Sequence, residues 1–358
     1  MPAEIESVSA LTWLPSGKEF LVLFQKASYS GVRNPGDQFA ALSLTGKFRQ
    51  ITNDMTPHSG ISLSTNGKSV ATLVQQGNSE VSIFDSAGVT LSSAARFPRD
   101  MQTVNWVGDD RLFAFDPWPV SLRLDTGEVS DIALKFPAEV QEHGSWSSSE
   151  VNPTSAPCSS DLILIAGDLD GVDQLYLIDT NGQFVKTLLK TWANSMFCSQ
   201  GDGLVYYVDR SVNDPAIWSM RLAGDTTHKV MPLSHFAPVV YSSDGKQAAY
   251  VSEQGGRATA VIIDLNQHKI AGELPLPGFV HGSLPHFTPD RRSLAFVRQE
   301  KDVFTLALAP LDGSTPRSFP KSFDKSILDF GWSPSGKRLA ILWDASTSDG
   351  AVLTDDTK

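Results

Sequence analysis

Residues 329–342, DFGWSPSGKRLAIL, contain the pattern that decides the fold. An apolar segment ends in an aromatic residue, a short turn rich in Ser, Pro and Gly follows, and a second apolar segment begins. Proline presets φ at the start of a turn and glycine supplies a positive φ, so this stretch predicts a β-hairpin.

The same hairpin pattern occurs eight times along the chain. The other repeats are ALTWLPSGKEFLVLF (10–24), GISLSTNGKSVATLV (60–74), TVNWVGDDRLFAF (103–115), SAPCSSDLILIAG (155–167), SMFCSQGDGLVYYV (195–208), PVVYSSDGKQAAYV (238–251) and LPHFTPDRRSLAFV (284–297). A second hairpin follows in most repeats, as in QLYLIDTNGQFVKTL (174–188). The repeats recur at a mean spacing of about 46 residues, which is typical of four-stranded propeller blades.

These repeats predict an all-β protein, an eight-bladed β-propeller of four-stranded blades that forms one domain over residues 1–358. Seven blades are the alternative, because the first and third repeats are irregular in length. The last repeat shows only three evident strands, so the N-terminal segment, residues 3–8, is expected to supply the fourth strand and close the ring. A closed ring hides sheet edges and explains how so long a chain buries its core.

The segments SSDGKQAAYV, TPDRRSLAFV and SPSGKRLAIL resemble the WD-like repeat of TolB-type propellers over nearly the whole chain. The stretches ITNDMTPHSGISLSTNGKSVATL, PGFVHGSLPHFTPDRRSLAFV and the segment from Ser326 to Asp355 are more similar still to the propeller that follows the kinase domain in some bacterial serine/threonine protein kinases. The resemblance implies the non-catalytic sensing or docking part of such a receptor, with an attached kinase domain in the native gene. The glycine-rich loop, the His-Arg-Asp loop and the Asp-Phe-Gly motif of a kinase are missing from this sequence.

The composition excludes several classes of protein. The chain has 29 Lys+Arg against 40 Asp+Glu, and a net charge of −11 opposes binding to nucleic acid and to anionic membranes. No apolar run is long enough for a membrane helix, and the N-terminus lacks a signal-peptide pattern. The compartment stays open: cytoplasmic if the chain is complete as written, extracytoplasmic if it is a fragment of a receptor kinase.

No catalytic motif is present. The sequence lacks a Gly-x-Ser-x-Gly elbow, a His-Glu-x-x-His motif, a Cys-x-x-Cys pair and an EF-hand loop, so neither an enzyme, a metal site nor a cofactor is expected. The acidic turn with Asp168, Asp170 and Asp173 could hold a hard cation, but its spacing is that of an ordinary solvated turn.

The candidate ligand- or partner-binding residues fall into two groups. Three histidines lie about nine residues before the turns of their repeats and are expected to enter inner strands at the central mouth: His58, His235 and His281. The favoured interpretation is that these three histidines occupy ordinary loop positions. Aromatic and Arg side chains in connections are expected on one loop face, beside the long irregular stretch 135–153: Tyr29, Arg33, Arg99, Trp118, Trp146 and Trp192. Trp and Arg are enriched at binding hot spots, whereas packing between blades is the alternative role.

Two further sets of residues are expected to be structural. The aromatic residues that recur with the period are predicted to pack the blades: Trp13, Trp106, Tyr241, Phe287 and Trp332. Cys158 and Cys198 occupy the same position in adjacent repeats. Because facing sheets lie about 10 Å apart and a disulfide needs Cα atoms within about 7 Å, two free, buried thiols are predicted.

Three functions are compatible with these patterns. The first is a binding propeller that recognises a protein, a peptide or a small ligand through its loop face. The second is a propeller enzyme of lactonase, lyase or glycosidase type, which needs paired carboxylates or a His–carboxylate pair at the channel mouth, with His235 or His281 and Asp100 or Asp324 as candidates. The third is a TolB-like scaffold in envelope assembly.

Overall fold

The computed structural model describes residues 5–26, 37–52, 58–76, 78–85, 87–97, 101, 103–116, 118–136, 147–148, 155–169, 172–199, 202–224 and 226–354. These residues contain strands and no helix, and strands make up 63% of the structure, which confirms the predicted all-β class. The chain folds into two compact units, residues 1–78 with 345–358, and residues 79–344. The single domain expected for residues 1–358 stays a prediction, and each unit is described by itself.

The described residues of the first unit form two antiparallel sheets. One sheet has the order β1 (Ile5–Trp13), β2 (Glu19–Lys26), β3 (Gln38–Ser43) and β4 (Phe48–Gln50). The other combines β5 (His58–Leu63) and β6 (Ser69–Gln76) with the last strand of the chain, β32 (Thr347–Thr354), in the order β32-β6-β5. Side chains from both sheets form one apolar cluster that includes Leu21, Leu23 and Phe39, so the two sheets share a core.

The second unit, in its described residues, contains six antiparallel sheets. The first five follow the chain in order: β9 (Thr103–Val107), β10 (Arg111–Asp116), β11 (Trp118–Arg123) and β12 (Val129–Asp131); β13 (Ser147–Ser148), β14 (Ser155–Pro157), β15 (Leu162–Leu169), β16 (Val172–Asp179) and β17 (Phe184–Leu189); β18 (Ala193–Cys198), β19 (Leu204–Asp209), β20 (Ala216–Arg221) and β21 (His228–Pro232); β22 (Val239–Tyr241), β23 (Gln247–Gln254), β24 (Arg257–Asp264) and β25 (Lys269–Pro275); β26 (His286–Phe287), β27 (Ser293–Glu300), β28 (Val303–Pro310) and β29 (Arg317–Phe323). The sixth has the order β30 (Ile327–Trp332), β31 (Arg338–Asp344), β7 (Ser79–Asp85) and β8 (Thr90–Phe97).

These six sheets close into a ring. Each gap between neighbouring sheets holds its own apolar cluster, and the cluster of Val81, Ile83, Val104, Leu112 and Leu342 joins the sixth sheet to the first. The unit is therefore a β-propeller of six blades, built so that the core is divided among six interfaces.

The ring of this unit closes after six blades and with a different strand from the predicted one, so the predicted count of eight blades, or of seven, is not confirmed. β31 pairs with β7 over seven residues, from Arg338↔Asp85 to Asp344↔Ser79, so the third and fourth strand positions are filled by β7 and β8 from the second repeat of the chain. The N-terminal strand pairs instead with β2, as in Val8↔Phe24. Ring closure after six blades leaves the first two hairpin repeats in the other unit, so neither eight nor seven blades form this ring.

Candidate functional site

The first strand of each blade lies nearest the ring axis, and we call β9, β14, β18, β22, β26 and β30 the inner strands. Neighbouring inner strands are close to each other around the ring, and each pairs with only one strand of its own sheet. Alternate backbone N–H and C=O groups on the other edge therefore point towards the axis.

Side chains link the inner strands of neighbouring blades. Asn105 Nδ2 donates to Ser155 Oγ at 3.2 Å, and the backbone N–H of Val239 donates to Ser195 Oγ at 2.8 Å. Trp106 Nε1 donates to the carbonyl of Gly331 at 2.7 Å. Such side-chain contacts to backbone edges satisfy groups that the sheets leave unpaired, and they hold the inner wall in one arrangement.

A disulfide between Cys158 and Cys198 is the covalent member of this set. It contradicts the prediction of two free thiols. Cys158 directly follows β14 and Cys198 ends β18, and their Cα atoms are only 4.8 Å apart. The predicted separation used the spacing of sheets packed face to face, but sheets arranged radially converge at their inner edges, so inner strands approach within disulfide range.

The inner strands surround a cavity of about 320 Å³. All six contribute to its lining: Thr103, Val104, Asn105, Trp106, Ser155, Ala156, Pro157, Met196, Phe197, Cys198, Val239, Val240, Tyr241, Ser243, Leu284, His286, Phe287, Thr288, Pro289, Asp329, Gly331, Trp332, Ser333 and Pro334. The wall is mainly apolar and aromatic, with a few hydroxyl and amide groups, which is the usual make-up of a small-molecule site.

Four of the five recurring aromatic residues line this cavity: Trp106, Tyr241, Phe287 and Trp332. Trp106 and Phe287 are also buried in the clusters between blades, as predicted. Tyr241 and Trp332 are only partly buried, and the ring of Tyr241 stacks on Phe197 with centroids 5.3 Å apart. Both also pack against apolar clusters between blades, as predicted. Trp13 lies in the first unit and is 50% exposed, so it does not pack the core as predicted.

His286 and Asp329 form the ionisable pair of the cavity wall. His286 Nε2 lies 3.2 Å from Asp329 Oδ1, and Asp329 Oδ2 accepts the backbone N–H of Val104 at 2.8 Å. Asp329 is 8% exposed, and the imidazole packs edge-to-face on Phe330 with centroids 4.7 Å apart. One carboxylate therefore joins three inner strands. Sequence reasoning missed both residues; the available signal was a histidine directly before the recurring aromatic Phe287.

The predicted histidines are not among the residues that line the cavity. His58 begins β5 of the first unit, where it is buried beside Phe39. His235 is exposed in the connection before β22, and its Nδ1 lies 3.0 Å from Ser234 Oγ. His281 is exposed before β26, with its Nδ1 2.9 Å from Glu253 Oε1. None of the three lies on an inner strand of the ring, and a binding role for each stays a prediction.

Of the predicted loop-face residues, Trp192 is the one whose side chain the structure describes. It precedes β18, half-buried, and its ring lies 5.4 Å from the guanidinium carbon of Arg210, which is also 4.9 Å from the ring of Phe236. Arg210 is thus held between aromatic rings of two neighbouring blades, and such contacts are attractive. Both the hot-spot role and the packing role predicted for Trp192 are compatible with this geometry.

The other predicted loop-face residues cannot be placed. Tyr29, Arg33, Arg99 and Trp146 lie outside the described residues, as does most of the stretch 135–153; Trp118 lies in β11, with its side chain outside the described part. The described residues contain no group of three or more His, Cys, Asp or Glu that could hold a metal ion. None of their segments is a helix of the length and apolarity that crossing a membrane requires.

No protein-family model matches the chain, and no curated protein matches it in sequence. Solved structures do. A structure assigned as TolB of Agrobacterium tumefaciens is 15% identical, with a TM-score of 0.54, and the match covers 75% of this chain and 98% of that one.

Two further solved structures match at lower similarity. TolB of Acinetobacter baumannii is 13% identical, with a TM-score of 0.41 over 98% of this chain and 66% of that one. An oligogalacturonate lyase of Vibrio parahaemolyticus is 10% identical, with a TM-score of 0.40 over 86% and 79%. At these identities the likeness concerns the fold. By its strand topology and by the match to the Agrobacterium structure, the protein has the fold of a TolB-like β-propeller.

Proposed function

We propose that the protein is a non-catalytic binding propeller whose ligand site is the central cavity of the six-bladed unit. The observation that carries this proposal is the cavity of about 320 Å³ whose wall includes residues from all six inner strands. That volume lies at the lower end of the range for small-molecule sites, about 300–1,000 Å³. A small ligand, or one side chain of a peptide, would fit it.

The links between inner strands support binding rather than mere packing. A disulfide and hydrogen bonds such as Asn105–Ser155 fix the wall before a ligand arrives. A site that is already arranged loses little conformational entropy on binding, which favours affinity. Trp192 with Arg210 and Phe236 offers a second contact area for a protein partner on the connections before β18 and β22.

The sensor role is proposed from the resemblance to receptor-kinase propellers, and the disulfide favours an extracytoplasmic location. Disulfides persist in oxidising compartments and are rare in the cytosol. Sequencing the native locus upstream of the Met1 codon tests this role. An in-frame kinase domain followed by a membrane helix supports a receptor sensor, whereas a stop codon directly upstream of the start contradicts it.

An enzyme is the second candidate, and the His286–Asp329 pair favours it. A His–carboxylate pair in a cavity is the arrangement that general acid–base catalysis needs. In this protein Asp329 also holds the Val104 N–H and joins inner strands, which is a structural use of the same carboxylate. Mass spectrometry of a bound ligand after prolonged incubation separates the two functions: a binding propeller returns it unchanged, and an enzyme converts it in a manner lost in His286→Gln.

The binding proposal is tested by filling the cavity. Ser243 is exposed and lines the cavity, so Ser243→Trp places a large ring at the site without changing the core. Thr315→Trp is the matched control, because Thr315 is exposed in the turn between β28 and β29 and is not a lining residue. Calorimetry with a panel of sugars, amines, carboxylates and dipeptides should find a ligand that binds wild type and Thr315→Trp equally and binds Ser243→Trp at least tenfold more weakly. If no compound binds, or if every ligand binds all three proteins equally, the cavity is not the site.

A further inference from the structure

We infer that the central cavity takes an uncharged, hydroxyl-bearing ring, that is, a neutral sugar residue. This inference rests on the proposed function and names the ligand class of the same site.

The charges of the wall argue against an ionic ligand. The described residues that line the cavity include neither Lys, Arg nor Glu, so a phosphate or carboxylate finds no permanent cation among them. The carboxylate of Asp329 is buried and already contacts His286 and the Val104 N–H, so a ligand cation would have to displace these partners. Burying an ion without a partner costs far more than burying a neutral polar group, so the wall selects against both signs.

Tyr241 adds no charge. Burial, and to a smaller extent the neighbouring Tyr206, raise the pKa of its phenol above the ordinary value, so the group stays protonated at physiological pH. The phenol of Tyr241 therefore contributes no charge to the wall.

Flat apolar surfaces in the wall suit one face of a sugar ring. Phe197 and Tyr241 are partly exposed and stacked on each other, with an interplanar angle of 15°, so both rings contribute aromatic carbon to the wall. Trp332, on another inner strand, is also partly exposed to the cavity. The C–H face of a pyranose is apolar and buries well against such rings.

The remaining wall offers hydrogen-bonding groups of the kind that hydroxyls match. Asn105 has an amide oxygen in addition to the amide nitrogen that donates to Ser155, and Ser243 carries an exposed hydroxyl. Backbone N–H and C=O groups on the free edges of the inner strands add donors and acceptors. A purely apolar ligand would leave these groups without partners, whereas a ring with hydroxyls on its rim would bond to them.

Three sugars with one ring and different charges test the inference. Glucose is neutral, glucuronate is an anion and glucosamine is a cation; galactose, galacturonate and galactosamine repeat the comparison. We expect titration calorimetry or ligand-observed NMR to show at least tenfold tighter binding of a neutral sugar than of either charged counterpart. Trp332→Leu should weaken that binding at least tenfold, and Trp332→Phe, which keeps a flat ring, should weaken it less.

A charge added to the wall gives a second readout, the order of ligand preference, that does not depend on folding losses. Asn105→Asp is nearly isosteric and adds a carboxylate that can accept a hydrogen bond from the Ser155 hydroxyl, so it should shift the preference towards glucosamine. Equal or tighter binding of a charged sugar by wild type overturns the inference, as does binding of only non-sugar ligands; in both cases the proposed binding function stands. Failure of every compound in the wider panel overturns the binding function itself.

Discussion

Loss of the disulfide between Cys158 and Cys198 should lower the stability of the propeller by several kcal/mol. The two cysteines are 40 residues apart in sequence, so the bond closes a loop of that size in the unfolded chain. The chain-entropy relation gives about 13 cal/mol/K for such a loop, or about 4 kcal/mol at 25 °C. For a unit of this size each kcal/mol corresponds to about 2 °C or more in melting temperature, so a decrease of about 8 °C is expected.

The assay compares wild type with the double variant Cys158→Ser/Cys198→Ser by calorimetry, with and without a phosphine reductant. Reductant should lower the melting temperature of wild type towards that of the double variant and leave the double variant unchanged. Thiol titration of the unreduced, denatured protein should find no reactive thiol, and two after reduction. Two thiols before reduction, or equal melting temperatures for the two proteins, would refute the covalent link between the inner strands.

Three other perturbations test the ring. Leu342→Ala, at a fully buried position where the sixth blade meets the first, should cost about 2–5 kcal/mol in chemical denaturation, and a cost under 1 kcal/mol contradicts the closure. A double-mutant cycle of Trp192→Ala and Arg210→Gln should give a coupling of about 0.5–1 kcal/mol; no coupling means that the cation–ring contact contributes nothing. Partial burial acts to raise the pKa of Asp244, but hydrogen bonds, including that from Arg291, hold it below the ordinary value. The stability that this carboxylate adds is therefore present above about pH 4 and is lost as pH falls through its folded pKa. Asp244→Asn should lower the free energy of unfolding at pH 7 and change it little at pH 2. Equal decreases at both pH values would contradict the ion pair.

The hairpins could be predicted from sequence because their signals are local. Gly17, Gly67, Gly245 and Gly336 all have positive φ, between 65° and 71°, as the repeated turn pattern requires. A side chain at Gly67 would also meet the ring of Pro15 at 2.5 Å, so that turn has no room for one. The residue types that form a turn, and the alternation of apolar and polar residues along a strand, both lie within about a dozen residues. They can therefore be recognised in the sequence alone.

Ring closure and the site depend on contacts between distant residues. The pairing of Arg338 with Asp85 joins positions that no repeat pattern relates, since every blade has similar hairpins and any could be the neighbour of the last. The same limit applies to His286, which meets Asp329 of the next blade, and to the two cysteines, whose distance depends on how sheets converge at the axis. Periodicity assigns residues to equivalent positions and does not say which equivalent positions touch.

The closing pair of strands makes the propeller an insertion within the first unit. The chain leaves that unit after Asn78 and returns at Ala345, whose N–H donates to the carbonyl of Asn78 at 2.9 Å, while Ser79 and Asp344 are strand partners in the propeller. The points at which the chain leaves the first unit and re-enters it are thus adjacent, as chain ends are in domains that tolerate insertion and circular permutation. We therefore expect that residues 79–344 could be removed as one continuous segment and that a short linker between 78 and 345 would rejoin the rest. The two crossing points thus mark a boundary in the chain at which we expect one propeller to be exchangeable for another.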